Sequence, residues 1–260
     1  MGFRHHAFRF IDPVGVRTEK QKSIMKKLSL CLLLAIGVMC AANAQEKALS
    51  AGVRAGLNIN RLAYSGSGEA ATKEALSSRA GYHVGVVLDC RLVRNLYLQP
   101  GLYFTTRGAK LDETGTEEGY KYSMTEKVNM NYLQIPVSLS YRFPIGGIVK
   151  IDINAGPYFA AGLGGRVKDE VTVSYNGEKA SESASYDVFG KWSEEEPRGD
   201  FRRFDAGLRF GAGVHIRKVN VGLIYDLGLT NLLYTGEEHI WDKGTKYRNG
   251  SFQVSLGYDF

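Results

Sequence analysis

The C-terminal stretch Phe252-Gln-Val-Ser-Leu-Gly-Tyr-Asp-Phe260 alternates strictly between apolar residues and polar or small residues. Side chains alternate across a β-strand, so one face of this segment would carry Phe252, Val254, Leu256, Tyr258 and Phe260. The residues between them would lie on the opposite face. A period of two along the whole segment predicts a strand and not a helix.

Seven earlier segments have the same period. They are residues 49–59, 82–90, 96–106, 133–143, 149–163, 204–216 and 219–229. The apolar faces of the eight segments carry no charged residue, although 23% of the chain is Asp, Glu, Lys or Arg. A membrane explains this exclusion, because Lys or Arg on the lipid face of a barrel costs roughly 2–4 kcal/mol at mid-bilayer. The pattern predicts an all-β fold, an eight-stranded antiparallel up-and-down transmembrane β-barrel with long outer loops.

The opposite faces are polar and rich in glycine, which is what the interior of such a barrel requires. An eight-stranded barrel is just wide enough to be filled by side chains, and the glycines leave room for inward tyrosines at positions 97, 103, 132 and 158. Because buried charges are normally paired, we expect a lumen charge network that plugs the barrel. Its predicted members are Arg54, His83, Asp89, Arg107, Arg142, Lys150, Asp152, Asp205, Arg209, His215 and Asp226.

The connections between the predicted strands alternate in length. Short turns are expected at residues 91–95, 144–147 and 217–218, and long loops at 61–78, 108–127, 164–203 and 230–249. Short inner turns and long outer loops are typical of outer-membrane barrels. This arrangement predicts a protein of the cell outer membrane with both termini in the periplasm. Asn176-Gly177 within the third long connection indicates a hairpin.

The first part of the chain resembles a processing segment. Residues 28–42 form a strongly apolar run that follows two lysines and precedes Ala42-Asn43-Ala44. These features predict a signal peptide at residues 25–44 and a barrel domain at 45–260. Residues 1–24 are interpreted as an upstream extension from a wrongly assigned start codon. Much of the net charge of +6 lies in residues 1–44, so it gives no reason to expect nucleic acid as a partner.

Several local features do not fit the simple barrel pattern. Pro100, Pro136 and Pro157 lie inside predicted strands, where each removes a backbone donor. We expect bulges there, and a weakened seam that admits lipid or a partner strand is the alternative. The glutamates at 117–118 and 194–196 lack the spacing of a calcium loop and are interpreted as solvated loop charge. Trp192 and Trp241 are expected to anchor the outer loops at the membrane interface.

Five segments together resemble the PorT-like outer-membrane β-barrel family of Bacteroidetes. The matching stretches are Leu96-Tyr-Leu-Gln-Pro-Gly-Leu-Tyr-Phe104 with Arg107-Gly108, Tyr132-Leu-Gln-Ile-Pro-Val137, Ala155-Gly-Pro-Tyr-Phe159, Asp205-Ala-Gly-Leu-Arg-Phe-Gly-Ala-Gly213 and Tyr225-Asp-Leu-Gly-Leu-Thr-Asn231. The resemblance continues to the C-terminal Phe260 and spans roughly residues 49–260.

The resemblance implies an eight-stranded outer-membrane barrel that acts as an accessory of a protein-secretion system. It also implies that the last strand, from Phe252 to Phe260, is read as a signal by the barrel assembly machinery. The expected partners are therefore outer-membrane lipid, that machinery, and other envelope or secretion proteins. No cofactor, metal or catalytic residue is expected.

Three alternatives stay open at this point. A lipocalin-like soluble barrel would turn the apolar face inward, but its outer surface would then be rich in glycine. A lipid-modifying or proteolytic barrel enzyme would use the inward histidines 83 and 215 with the aspartates 89, 205 and 226. A narrow pore would need an open lumen.

Overall fold

The computed structural model describes residues 49–66, 76–117, 120–176, 178–193, 195, 197–235 and 244–260. The predicted upstream extension and signal peptide, residues 1–44, lie outside these ranges and stay predictions. The same holds for positions 118, 177, 194, 196 and 241, which the sequence analysis singled out. Within the described ranges, no helix has the length and hydropathy to cross a membrane.

The described residues form ten strands, and most of them are longer than the alternating segments predicted. In chain order the strands are β1 (Leu49–Ser65), β2 (Leu76–Val93), β3 (Leu96–Glu117), β4 (Tyr120–Gly146), β5 (Val149–Tyr175), β6 (Glu178–Phe189), β7 (Arg198–Phe201), β8 (Phe204–Ile216), β9 (Val219–Gly228) and β10 (Lys246–Asp259).

Eight of these strands form a closed antiparallel ring in the order β1-β2-β3-β4-β5-β8-β9-β10. The ring closes because β10 pairs with β1, with Val53 opposite Tyr258 and Leu57 opposite Val254. Because the ring is closed, none of its strands leaves an edge of unpaired backbone N–H and C=O groups, which a sheet inside lipid requires. The predicted fold class is confirmed.

The two ends of the barrel differ. We call the end with the β2–β3, β4–β5 and β8–β9 turns the turn end, and the opposite end the extended end. The C-terminus lies at the turn end, where the Asp259 backbone N–H donates to the carbonyl of Lys218 at 2.7 Å. The Phe260 N–H donates to the carbonyl of Ala51 at 2.9 Å, so the start of β1 lies there as well.

At the extended end, parts of the connections predicted as long loops are paired strands. β3 and β4 stay paired as far as Glu117 opposite Tyr120, through the region predicted as the loop 108–127. β5 likewise continues to Tyr175. Outside the membrane both faces of a strand can be polar, so the hydrophobic alternation stops although the backbone pairing continues. The sequence pattern therefore located the membrane-spanning parts and missed their extensions.

The hairpin predicted at residue 176 is confirmed. β5 and β6 pair from Arg166 opposite Asp187 to Tyr175 opposite Glu178. Asn176 takes a φ of 49° in the turn, a left-handed conformation that asparagine adopts more readily than most residues. Further along the chain, β6 pairs in parallel with the short strand β7.

An apolar cluster fills the interior near the extended end, and we call it the mouth cluster. It combines inward residues of β4 and β5 with residues of β6, β7 and the segment after β9. Its members with the lowest exposure include Met130, Tyr132, Tyr158, Val167, Val188, Phe189, Leu232 and Leu233. Tyr132 and Phe189 meet edge to face with ring centroids 5.7 Å apart. A side chain at position 162 would collide with Phe189, so glycine there makes this contact possible.

The apolar faces of the ring strands point outward. Leu57 is 72% exposed and Leu256 is 61% exposed, and the outward side chains of β10 and of the C-terminal Phe260 are exposed from Phe252 onward. We call this surface the apolar belt. The lipocalin-like alternative is wrong, because the polar faces of the same strands are buried inside the ring.

The three strand prolines do not create bulges, which corrects a second expectation. Their cross-strand partners follow without a register shift: Pro100 opposite Val137, Pro136 opposite Tyr158, and Pro157 opposite Leu208. Each proline lacks one N–H donor but keeps its carbonyl. The pairing is interrupted for two residues beside Pro100 and beside Pro136, and it resumes in the same register.

The apolar belt makes a direct prediction. Leu223→Arg, at an exposed position in the middle of β9, should lower the free energy of unfolding in lipid vesicles by about 2–4 kcal/mol. Leu229→Arg, just beyond the end of β9, is the matched control and should cost only about 0–1 kcal/mol. Equal unfolding midpoints in urea for the two variants would contradict a membrane centred on the belt.

Candidate functional site

The lumen network lies inside the ring, on the polar faces of the ring strands. All of its predicted members are buried except Lys150. Lys150 is exposed because it is the second residue of β5, next to the β4–β5 turn, where the interior opens. Its assignment to the network is therefore wrong.

Arg107 of β3 is the central cation of the network. Its Nη1 donates to Asp205 at 2.7 Å and its Nη2 donates to Asp226 at 2.9 Å. All three side chains are fully inaccessible to solvent. The guanidinium also lies 4.9 Å from the centre of the Tyr158 ring. One arginine therefore links strands on opposite sides of the ring.

Asp226 of β9 collects donors from several strands. Arg209 of β8 contacts both of its carboxylate oxygens, with Nε at 2.7 Å and Nη2 at 2.9 Å. Gln134 of β4 and Gln253 of β10 donate to the same carboxylate at 2.9 and 2.8 Å. Paired contacts between arginine and carboxylate fix geometry as well as charge. Asp226 thus ties the middle of the barrel together.

Asp205 of β8 forms a second centre nearer the extended end. Besides Arg107, it accepts hydrogen bonds from Thr230 at 2.7 Å and from Asn249 at 2.9 Å. The hydroxyl of Tyr158 donates to it at 3.2 Å. These contacts join the charged network to the tyrosines of the mouth cluster directly above it.

Two further ion pairs lie nearer the turn end. Arg142 of β4 pairs with Asp89 of β2 at 2.5 Å, and Arg54 of β1 pairs with Asp259 of β10 at 2.6 Å. His215 lies 3.3 Å from the same Asp259. The remaining predicted member, Asp152, contacts Ser140 and Asn154. Ion pairs therefore bridge the lumen at several levels.

His83 lies in a hydrogen-bonded chain that the sequence analysis did not detect. Its Nε2 is 3.1 Å from the Ser255 hydroxyl and its Nδ1 is 2.6 Å from the Asn58 side-chain oxygen. A serine, a histidine and an amide in this order have the connectivity of a hydrolase triad. All three side chains are buried in the lumen.

The three residues of this chain come from three strands, so no local motif could reveal them. Register brings them together: Gly56 of β1 lies opposite His83 on one side and Ser255 on the other. A side chain at position 56 would collide with the His83 ring. Glycine at position 56 therefore leaves room for this ring.

The space beside this chain is small. A cavity of about 60 Å³ lies next to Ser255, lined also by Arg54, Arg209 and His215. One water molecule occupies about 30 Å³ in the liquid, so the cavity holds a few waters at most. An ester or peptide substrate has no room to reach the Ser255 hydroxyl.

The described residues contain no group of three or more His, Cys, Asp or Glu side chains that could hold a metal ion. The cationic members of the network point at carboxylates, and its carboxylates are filled by arginine, amide and hydroxyl donors. The arrangement is therefore a self-contained network of charge pairs.

Comparison with known proteins places the barrel in a family. The family described as "Outer membrane protein beta-barrel domain" matches residues 43–234. The chain belongs to this family. The barrel is an outer-membrane protein, with its apolar belt facing lipid. No curated protein matches it.

Solved structures of other outer-membrane barrels are similar in fold. Ail of Yersinia pestis is 13% identical, with 81% of this chain and 98% of Ail covered and a TM-score of 0.33. Neisserial surface protein A is 13% identical, with 81% and 97% covered and a TM-score of 0.34. The N-terminal β-barrel domain of OprF from Pseudomonas aeruginosa is 11% identical, with 80% and 97% covered and a TM-score of 0.26.

Proposed function

We propose that this barrel is a closed, non-enzymatic component of the outer membrane, structural or accessory in an envelope or protein-secretion assembly. The observation that carries the proposal is the filled lumen. Arg107, Asp205 and Asp226 bridge its middle without any solvent access, and the mouth cluster covers them. A barrel without a passage acts through its surfaces.

The proposal assigns the turn end to the periplasm and the extended end to the outside. Both ends of the described barrel chain lie at the turn end, where a chain arriving from the periplasm would begin and finish its ring. The β3–β4 and β5–β6 extensions then project outward and offer backbone and side chains to a partner. A PorT-like accessory role, implied by the resemblance in sequence, needs such a surface.

Site-specific photo-crosslinking in the native membrane tests this role. A photoreactive amino acid at Lys179, exposed on β6, should give one dominant crosslinked envelope protein. The same probe at Val254, exposed on the apolar belt, is the control and should give no such product. Crosslinking to no protein at Lys179 and its exposed neighbours on β6 would contradict an accessory role at this surface.

The Ser255–His83–Asn58 chain favours one alternative, a hydrolase of the outer membrane. Its connectivity fits nucleophilic catalysis, but Ser255 is 2% exposed and the cavity beside it measures only about 60 Å³. In the proposed function, the hydrogen bonds among Ser255, His83 and Asn58 serve to satisfy the buried polar groups of these three side chains.

Active-site labelling separates these two functions. A fluorophosphonate probe, which modifies activated serines, should leave the folded barrel unlabelled because it cannot reach Ser255. Ser255→Ala serves as the control and should give the same blank result. Labelling that disappears in Ser255→Ala would establish the hydrolase and overturn the non-enzymatic proposal.

A further inference from the structure

A separate cavity of about 170 Å³ lies at the extended end, beyond the apolar belt. Aromatic side chains form much of its wall: Tyr186, Trp192, Phe201 and Tyr247. An apolar cavity of about 150 Å³ in another protein holds benzene. The space is therefore large enough for a small organic ligand.

One carboxylate belongs to this aromatic wall. Glu126 lies on the same face of β4 as the buried Val128 and lines the cavity. The residue is half-buried, and no hydrogen bond or ion pair joins it to another residue in the described part of the chain. A carboxylate among aromatic rings, without a cation of its own, is an unbalanced charge.

A second carboxylate increases this imbalance. Asp169 of β5 lies directly opposite Glu126 in the β4–β5 ladder. One of its oxygens accepts a hydrogen bond from the Tyr186 hydroxyl at 2.8 Å, and the other is buried without a partner among the described residues. Like charges directly opposite each other on neighbouring strands repel. A cation bound between the rings would relieve this repulsion.

Arg198 also lines the cavity but is engaged on another side. Its Nη1 lies 3.4 Å from the carbonyl of Phe189 and 3.9 Å from the Asp187 carboxylate. The guanidinium is thus held by groups outside the Glu126–Asp169 pair. The charge of that pair is left for a ligand.

Aromatic faces attract cations, and cages of aromatic rings are the usual site for methylated and quaternary ammonium groups. Such ions have few or no N–H groups to donate, so they do not need a set of directed hydrogen-bond acceptors. A wall made of aromatic rings and one carboxylate therefore suits them. We propose that this cavity binds a small methylated or quaternary ammonium ion, with its methyl groups against the rings and its charge beside Glu126. This ligand site is independent of the accessory function proposed above.

The acidity of Glu126 gives the proposed site a pH dependence. Burial, together with the charge of Asp169, raises the pKa of Glu126 to about 7. A bound cation favours the ionised carboxylate, so affinity should rise with pH, by about tenfold between pH 6 and pH 8.

The other groups around Glu126 do not reproduce this trend. The charged or titratable groups at the cavity are Asp169 on β5, Tyr186 on β6, Arg198 on β7 and Tyr247 on β10, with Tyr64 of β1 beside Tyr247. Burial and neighbouring carboxylates raise the pKa of Tyr186 and of Tyr247, so both stay neutral in this range. Arg198 stays charged throughout.

Tryptophan fluorescence can measure this binding. The chain has two tryptophans, so Trp241→Phe leaves Trp192 in the cavity wall as the reporter. The purified barrel carrying this change should show a saturable fluorescence change with choline or tetramethylammonium at constant ionic strength. The uncharged analogue of choline, 3,3-dimethylbutan-1-ol, should bind at least about tenfold more weakly, since it lacks the charge that Glu126 attracts.

Glu126→Gln, which keeps the shape and removes the charge, should also weaken choline binding by about tenfold and abolish its pH dependence. Glu182→Gln on the exposed face of β6 is the matched control and should bind as the parent does. Lack of saturation with either ammonium ion, equal affinity for the uncharged analogue, or unchanged binding by Glu126→Gln would each overturn the proposal. The comparison of choline with its uncharged analogue needs no variant of Glu126, so it tests the proposal even if Glu126→Gln misfolds.

Discussion

Replacing Arg107 with methionine is expected to lower the free energy of unfolding of the barrel by about 3–5 kcal/mol, the usual cost of removing one partner from a buried ion pair. Methionine keeps much of the side-chain volume but leaves Asp205 buried without a cation. Asp226 keeps its contacts with Arg209, so the loss falls mainly on Asp205. The measurement is equilibrium urea unfolding of protein refolded into lipid vesicles, followed by tryptophan fluorescence.

The matched control for this prediction is Arg61→Met. Arg61 lies on β1 and is exposed, and exposed substitutions usually change stability by about 0.5 kcal/mol or less. A cost for Arg107→Met no larger than that of Arg61→Met would show that the central ion pairs do not stabilise the barrel. The lumen would then be filled by side chains that the fold does not need.

Deleting Phe260 is expected to block assembly far more than it lowers stability. The Phe260 ring is 69% exposed and the residue makes one backbone hydrogen bond to Ala51. The deletion therefore removes this hydrogen bond and the edge-to-face contact of Phe260 with Tyr258, together worth about 1–3 kcal/mol, too little to unfold a closed ring. In the cell, however, the assembly machinery would lose the terminal aromatic that the sequence resemblance identifies as its signal.

Cell fractionation together with refolding tests this separation. The deletion variant should accumulate in the periplasm, yet refold in detergent and keep a heat-modifiable shift on gels. Phe210→Ala, which removes an exposed aromatic from β8, is the control and should reach the outer membrane normally. Wild-type membrane levels of the deletion variant would show that Phe260 only contributes packing.

The membrane-spanning part of the fold could be predicted from the sequence because its physical constraint is periodic. Lipid excludes charge from every second position of a strand, so the face that carries Leu57 or Leu256 is recognisable without any partner strand. Ring closure follows from the same constraint, because an open edge in lipid leaves backbone groups unsatisfied. Beyond the belt, from about Gly108 in β3, both faces of a strand can be polar because both contact water. The alternation of apolar and polar residues therefore ends there.

The sequence predicts that buried arginines and aspartates form ion pairs in the lumen, but it does not predict which arginine pairs with which aspartate. The inward position of Arg107 follows from alternation, and the need for an aspartate follows from burial. The choice of Asp205 and Asp226 depends on how strands from opposite sides of the ring are staggered, which no local pattern encodes. The exposed Lys150 was misplaced because alternation gives the face of a strand but not the depth in the barrel.

The Ser255–His83–Asn58 chain and the aromatic cavity were missed for the same reason. Each is assembled from residues far apart in sequence by register or by the packing of β6 and β7. Trp192, predicted only as an interface anchor, lies in the cavity wall. Neighbouring polar residues along one strand could not have revealed either arrangement.

The proposed function requires that charge pairs and the mouth cluster close this outer-membrane barrel. Single-channel recording in planar lipid bilayers tests it most directly, with the purified and refolded protein. Because Arg107, Asp205 and Asp226 have no solvent access and Phe189 and Leu233 are buried near the mouth, we expect no stable conductance steps. Stable, porin-like open levels that scale with the number of inserted barrels would contradict it.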